Sequence, residues 1–326
     1  MLKMKVMSTM HPVILSASRA TDIPAFYGKW FLNRWQEGYC VWINPFNRVP
    51  VRVSFDKVRA VVFWTKDPAP FEPYLNQFER YCQQYYFHFT VNDYENESLE
   101  PGIPPLDERI KTFCKLSQNL GAARVIWRFD PILLGSRLTL EMLVDRFKSI
   151  GRRLTGYTEK AVISFADISA YRKVKNNLGK CSEEYREPDQ NEKNRALEEI
   201  SIIAKGFGMC LATCAETDAE WPGVEQNRCI DDRLLHRLYS HDQELMNFLG
   251  YTSPIQTLLF TSSEKDKQVA YRKDRGQRAA CGCVASKDIG QYDTCAHRCV
   301  YCYANSTPDL AAKNYKNHDA ASESIL

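Results

Sequence analysis

No stretch of this 326-residue sequence is apolar for long enough to cross a bilayer as a helix. A chain that spans a membrane in that way is therefore not expected. Net charge is scarce too: 43 lysines and arginines against 40 acidic residues leave only +3. Bulk charge thus gives no argument for a nucleic-acid partner. No internal repeat or low-complexity tract stands out. The opening MLKMKVMSTMHPVILSASRA carries lysines, but its apolar stretch is short and broken by polar residues, so a signal peptide is not expected. A reducing, cytoplasmic setting is the expectation that follows.

What is present is an ordinary globular composition, 44% hydrophobic and 25% charged, enough for one large domain or two small ones. The unusual feature is twelve cysteines. Where thiols stay reduced, clustered cysteines more often signal metal or redox chemistry than disulfides.

Short β-rich runs alternate with amphipathic stretches. Strands are predicted at Val13–Ser18, Tyr39–Asn44, Ala60–Lys66, Tyr85–Val91, Ala123–Pro131, Ala161–Ile168 and Met209–Glu216. A helix is predicted from Pro24 to Gly38, and another closes at Gly121. Seven strands alternating with helices predict an α/β fold: a (β/α) TIM-like barrel, closed, incomplete or permuted, over residues 1–250. An open doubly wound sheet is the competing architecture. Residues 251–326 are polar and cysteine-rich, and are expected to form an appendage folded around a metal and packed on the barrel.

The predicted strands end in polar or reactive groups. Arg19 and Asp22 follow the first strand, after Ser16 and Ser18. Asn44 and Asn47 follow the second, Lys66 the third, and Thr90 and Asn92 the fourth. Arg128 and Asp130 close the fifth, Ser164 and Asp167 the sixth, and Thr213, Cys214 and Glu216 the seventh. Parallel strands bring such ends to one face, where active sites form. Arg19, Asp22, Lys66, Arg128, Asp130, Asp167 and Glu216 are accordingly the catalytic candidates. Turn formers and helix caps are the plainer alternative: Asp22 before Pro24 suits a cap, and Arg128 and Asp130, on one side of their strand, suit an ion pair.

Cys295, Cys299 and Cys302 carry the spacing C-x3-C-x2-C, and a loop of that length can set three thiolates around one small inorganic core. Three cysteines leave one iron of a [4Fe–4S] cube open to a ligand. Zinc on a Cys3His set that uses His297 is the alternative. The pattern, with Tyr301 just before the last cysteine, resembles that of the radical S-adenosylmethionine (SAM) superfamily, and especially its spore photoproduct lyase branch. The resemblance implies that Cys295, Cys299 and Cys302 hold three irons and that the fourth chelates the amino and carboxylate groups of SAM. Tyr301 then lies near the adenine, with Tyr303 and Asn305 also at the cofactor. An electron donor such as a flavodoxin or ferredoxin is implied. In that superfamily the cysteine motif follows the first barrel strand, whereas here it follows the last, which implies a permuted order. Four further cysteines, Cys214, Cys229, Cys281 and Cys283, are candidates for a second site holding zinc or an auxiliary iron–sulfur cluster.

Over nearly its whole length, from SASRATDIPAFY through NPFN, VFWTKDP, RVIWRFDPI and TCAE to CAHRCVYCYAN, the chain resembles a prokaryotic family defined only as a domain of unknown function. The substrate stays open between a small molecule and a nucleic acid, the latter on the basic, tyrosine-containing runs YRKVKNNLGK and YRKDRGQR. Three readings follow: a radical-SAM-like enzyme, a zinc-dependent or zinc-stabilised hydrolase or lyase, and a metal-stabilised nucleic-acid-binding protein without catalysis.

Overall fold

The computed structural model describes residues 7–214, 216, 221–251, 272–274, 276–278 and 280–326. Its centre is a sheet of eight parallel strands. In chain order these are β2 (Ile14–Ala17), β5 (Ala60–Thr65), β6 (Tyr85–Thr90), β7 (Val125–Ile132), β9 (Lys160–Phe165), β11 (Cys210–Thr213), β12 (Val224–Gln226) and β13 (Lys287–Asp288), while β8 (Leu134–Gly135) and β10 (Tyr185–Arg186) form a separate antiparallel pair. Their spatial order is β12-β11-β9-β7-β6-β5-β2-β13, with every neighbouring pair parallel. Six of the seven expected strands lie in it. Among the described residues no pairing joins β12 to β13, so the architecture is a large parallel α/β sheet rather than a closed barrel.

Successive side chains of a strand face opposite ways. On one face stand Leu15, Val61, Phe63, Tyr85, Phe87, Phe89, Val125, Trp127, Phe129, Ala161 and Ile163, all buried. The helices cover this face: α2 (Gly28–Glu37), α3 (Glu72–Phe78), α4 (Leu106–Leu120), α5 (Leu140–Leu154) and α7 (Gln190–Gly206) contribute Phe31, Phe78, Phe113, Phe147 and Ile200 to the same core. Phe63 stacks on Phe87 at 4.7 Å between centroids and Trp127 on Phe147 at 4.5 Å. Such offset pairs add about 0.5–1.5 kcal/mol each beyond the area they bury. The other face starts apolar, with Ile14, Ala60, Val62, Tyr86, Ile126, Val162 and Ala212 packed on Leu235, Leu245, Met246 and Leu249 of α8 (Asp232–Tyr239) and α9 (Gln243–Leu249). One or two residues further along the same strands it turns polar.

Tyr39–Asn44 departs from expectation. β3 (Tyr39–Ile43) pairs antiparallel with β4 (Pro50–Ser54), in a separate sheet that also holds β1 (Thr9–Met10). The chain reverses within a few residues, with Asn44 N–H donating to the Val49 carbonyl at 3.0 Å. So short a turn permits antiparallel pairing only. Asn44 and Asn47 therefore belong to a hairpin turn and not to the carboxyl edge of the parallel sheet. The expected helix from Pro24 to Gly38 is broken at Tyr27 into α1 (Ile23–Phe26) and α2, and Gly38 ends it with φ +78°.

Residues 252–271 of the expected appendage, with Tyr271 of YRKDRGQR among them, lie outside the described residues, as do Arg275 and Ala279. Later residues of that segment enter the main sheet as β13, beside β2. The last residues return to α2 and β3: Trp30 Nε1 donates to the Ser322 carbonyl at 3.0 Å, and Val41 N–H to that of Glu323 at 2.8 Å. Among the described residues no helix is long and apolar enough to cross a membrane.

Candidate functional site at the carboxyl edge of the sheet

Because all eight strands run the same way, the residues that follow them share one edge. The cysteine triplet is brought to that edge by β13. Asp288 ends this strand and accepts from Ser16 Oγ at 2.7 Å and from Arg19 N–H at 2.9 Å. Gly290 follows, where a Cβ would lie 1.8 Å from Ser18 Oγ, so only glycine lets the two segments meet. Thr21 Oγ1 then donates to the Gln291 carbonyl at 2.8 Å, and Tyr27 OH to the Thr294 carbonyl at 2.7 Å. Cys295 comes next, its loop already fixed against the start of the chain.

Within the loop, His297 Nε2 is 2.7 Å from Asp22 Oδ2, and its Nδ1 is 3.4 Å from the Gly102 carbonyl. Gly102 N–H donates back to the His297 carbonyl at 3.0 Å, an approach that any Cβ there would block at 2.5 Å. Asp22 does cap α1, accepting from Ala25 N–H at 3.0 Å, but its other oxygen also accepts from Lys66 N–H at 2.7 Å. One carboxylate thus joins the ends of two strands to the cysteine loop.

Lys66 Nζ donates to Glu100 Oε1 at 2.7 Å and to Tyr301 OH at 3.0 Å, and Tyr301 OH itself donates to Glu100 Oε1. Asn92 Nδ2 reaches the same carboxylate oxygen at 3.1 Å and the Asp130 carbonyl at 2.7 Å. Burial opposes charge on both members of the Lys66–Glu100 pair. Their attraction outweighs it, raising the pKa of Lys66 and, with help from Arg109, lowering that of Glu100. The Tyr301 hydroxyl is pushed far up by burial and by Glu100, so it stays protonated.

Cys295, Cys299 and Cys302 are half-buried, and each lies within the electrostatic reach of another. Burial raises all three, Cys295 to about 12, with Asp22 adding to it; at Cys299, Lys66 pulls the other way. Tyr303 OH donates to the Arg19 carbonyl at 2.9 Å, and Asn305 Nδ2 to the Cys295 carbonyl at 2.7 Å, while Asn305 Oδ1 is buried without a partner. Among the described residues, no group of three or more His, Cys, Asp or Glu side chains already stands in position to hold a metal ion.

The remaining candidates divide. Arg128 and Asp130 form a buried ion pair, and Ser164 Oγ donates to Asp130 at 3.2 Å. Arg19 lies over the Trp64 ring at 4.9 Å; burial lowers its pKa, but Asp288, Cys283 and Cys229 more than restore it. Asp167 sits on the rim, paired with Arg278, which also donates to Tyr171 OH at 2.8 Å. Glu216 accepts from Phe165 N–H at 3.3 Å and pairs with Lys193 at 3.4 Å, at the far end of the edge. The site also holds residues that the sequence reading passed over. Glu100 lies in a loop ten residues beyond β6, where no strand-end rule reaches. Asp288 ends a strand too short to read. Buried His88, stacked on Trp64 at 5.0 Å, contacts the Cys229 carbonyl through Nε2 at 2.7 Å. Its pKa is pushed well below 6.5 by burial and by Arg128, so the ring is neutral with Nε2 as the donor.

Fold and site together define an α/β protein that gathers cysteines, a buried ion-pair network and tyrosines at the carboxyl edge of a parallel sheet. The chain belongs to the family described as Domain of unknown function (DUF1848), which it matches over residues 14–304. No curated protein and no solved structure matches it.

Proposed function

We propose that the protein is a radical-SAM-like iron–sulfur enzyme in which Cys295, Cys299 and Cys302 hold a [4Fe–4S] cluster. The observation that carries this reading is topological. In the radical-SAM pattern the cysteine loop follows the first barrel strand. Here the loop comes last in the sequence, yet it follows β13, an outermost strand of the parallel sheet, directly beside β2. That edge position beside β2 is where a permuted order of the pattern would set the loop, which supports the reading.

The donor set fits such a cluster: three thiols on one short loop, half-buried, at the edge where the strand ends converge. Held by Cys295, Cys299 and Cys302 and reduced by an external one-electron donor, such a cluster would supply the electron for cleaving the sulfonium of SAM into methionine and a 5′-deoxyadenosyl radical. The chain's own residues position and shield. Tyr301, held by Lys66 and Glu100, is a fixed aromatic contact, with Tyr303 and Asn305 beyond it. Asn305 also fixes the Cys295 carbonyl. Lys66 places one positive charge near Cys299 and so favours its thiolate. Arg128, Asp130 and Ser164 offer a substrate a charged and hydrogen-bonding wall on the same strands.

The test is anaerobic purification with iron and sulfide counts. About four irons per chain at this site are expected, falling to the background level in Cys299→Ala, together with reductant-dependent SAM cleavage in the unaltered protein. Iron content unchanged by Cys299→Ala would reject the assignment.

A further inference from the structure

Four of the nine cysteines outside the triplet, Cys214, Cys229, Cys281 and Cys283, lie near one another on the sheet's polar face. Cys214 Sγ, just past β11, is 3.5 Å from Cys229 Sγ. Cys283 lies within electrostatic reach of Cys229 and Cys281, and Cys281 of Cys229 and Cys214. Three separate segments thus bring these thiols near one another. Several N–H donors converge on these sulfurs. Arg128 Nη1 and Asn227 Nδ2 each donate to Cys229 Sγ at 3.3 Å, and Ile230 N–H donates to Cys283 Sγ at 3.4 Å. Arg19 Nη2 is buried nearby without a partner. Tyr86 OH and His88 Nε2 both donate to the Cys229 carbonyl, at 2.6 and 2.7 Å, which fixes that residue from behind.

We propose that Cys214, Cys229, Cys281 and Cys283 close around one zinc-class cation as an all-thiolate site distinct from the triplet. Size decides between a single ion and a cluster. Tetrahedral bonds of about 2.3 Å put neighbouring sulfurs about 3.8 Å apart. The Cys214–Cys229 edge is within a few tenths of that already, and Cys281 lies within electrostatic reach of both. An iron–sulfur cube places metal and sulfide between its thiolates and needs much longer edges. Four soft sulfur donors and no open position select zinc and a structural role. Four thiolates around a dication leave two negative charges; Arg19 lies within electrostatic reach of Cys283 and Cys229, and Arg128, which also pairs with Asp130, donates to Cys229 Sγ. The N–H donors on the sulfurs are the outer partners such a site uses. The ion would tie the end of β11 and the segment before α8 to the segment that leads into β13. It would thereby anchor the strand from which the triplet loop springs.

The proposal stands whether or not the triplet holds iron. Its test uses the full chain with Zn²⁺ and Co²⁺ as probes. One zinc per chain is expected, retained in Cys299→Ala and bound at least tenfold more weakly in Cys281→Ser, whose side chain is only half-buried. Cobalt in place of zinc should show sulfur-to-cobalt charge-transfer absorption in the unaltered protein, a readout that needs no variant to fold. A zinc-free protein with a Cys214–Cys229 disulfide, iron that disappears with Cys281→Ser, or zinc that disappears with Cys299→Ala would each overturn it.

Discussion

The two faces of the parallel sheet are built from alternate residues of the same strands, yet they obey different rules. The helix-covered face is aromatic and aliphatic throughout: Phe63, Phe87, Phe89, Trp127, Phe129. The opposite face keeps that character only over its first layer, then presents Ser16, Trp64, His88, Arg128, Ser164 and Cys214, and finally Lys66, Asn92 and Asp130. Apolar burial stabilises the first face with no directional demand. The second buries charges and must pair each of them. The difference teaches that this sheet has one side of uniform apolar burial and one that carries paired charge, and that the boundary falls partway along each strand.

The contrast can be broken most forcefully on the apolar side. Phe87→Ala should cost about 3–5 kcal/mol in denaturant unfolding, since Phe87 is fully buried and stacked on Phe63. A loss below about 1 kcal/mol would mean that this face is not the one that stabilises the fold. The charged side should answer with non-additivity. Glu100→Leu alone should cost about 3 kcal/mol, because it strands the Lys66 ammonium; Lys66→Met combined with it should return to within about 1 kcal/mol of the unaltered chain. Simple addition of the two losses would show that the ion pair is not the coupled unit described here.

The smallest effect sharpens the comparison at the sheet's margin. Lys287, over the Trp42 ring, is pulled by burial from 10.5 to about 8, although Asp288 favours its charge. The sign follows from desolvation: the folded state disfavours the ammonium, so a stability cost present below about pH 8 is relieved as pH rises from there toward 10.5. Acylation of Lys287, followed by peptide mapping across pH, should reach half its maximum near pH 8. A midpoint near that of exposed lysines would show that β13 is solvated.

Much of this was legible from residue order. Six strands, the alternation that makes two faces, and the convergence of Lys66, Arg128 and Asp130 followed from period-two patterns and the parallel-edge rule, whereas Tyr301 and the cysteine triplet reach that edge through β13. The four-thiol row combines Cys214, which the strand-end rule found, with Cys229, Cys281 and Cys283, whose approach depends on tertiary folding. Tyr39–Asn44 misled because its composition is that of a buried strand, and only the tight turn after it dictates the antiparallel partner. β13 escaped because two residues carry no period. Glu100 escaped because its role depends on the loop around Gly102 meeting His297, a contact between residues far apart in the chain.

The contact between Ser16 and Asp288 spans 272 positions. A ribosome must therefore release nearly all of the polypeptide before the outer strand beside β2 can dock. Contacts of such separation form late and slowly. The cysteine triplet would then be docked only once the rest of the sheet exists to receive it, so a nascent or prematurely terminated product would present that loop unanchored.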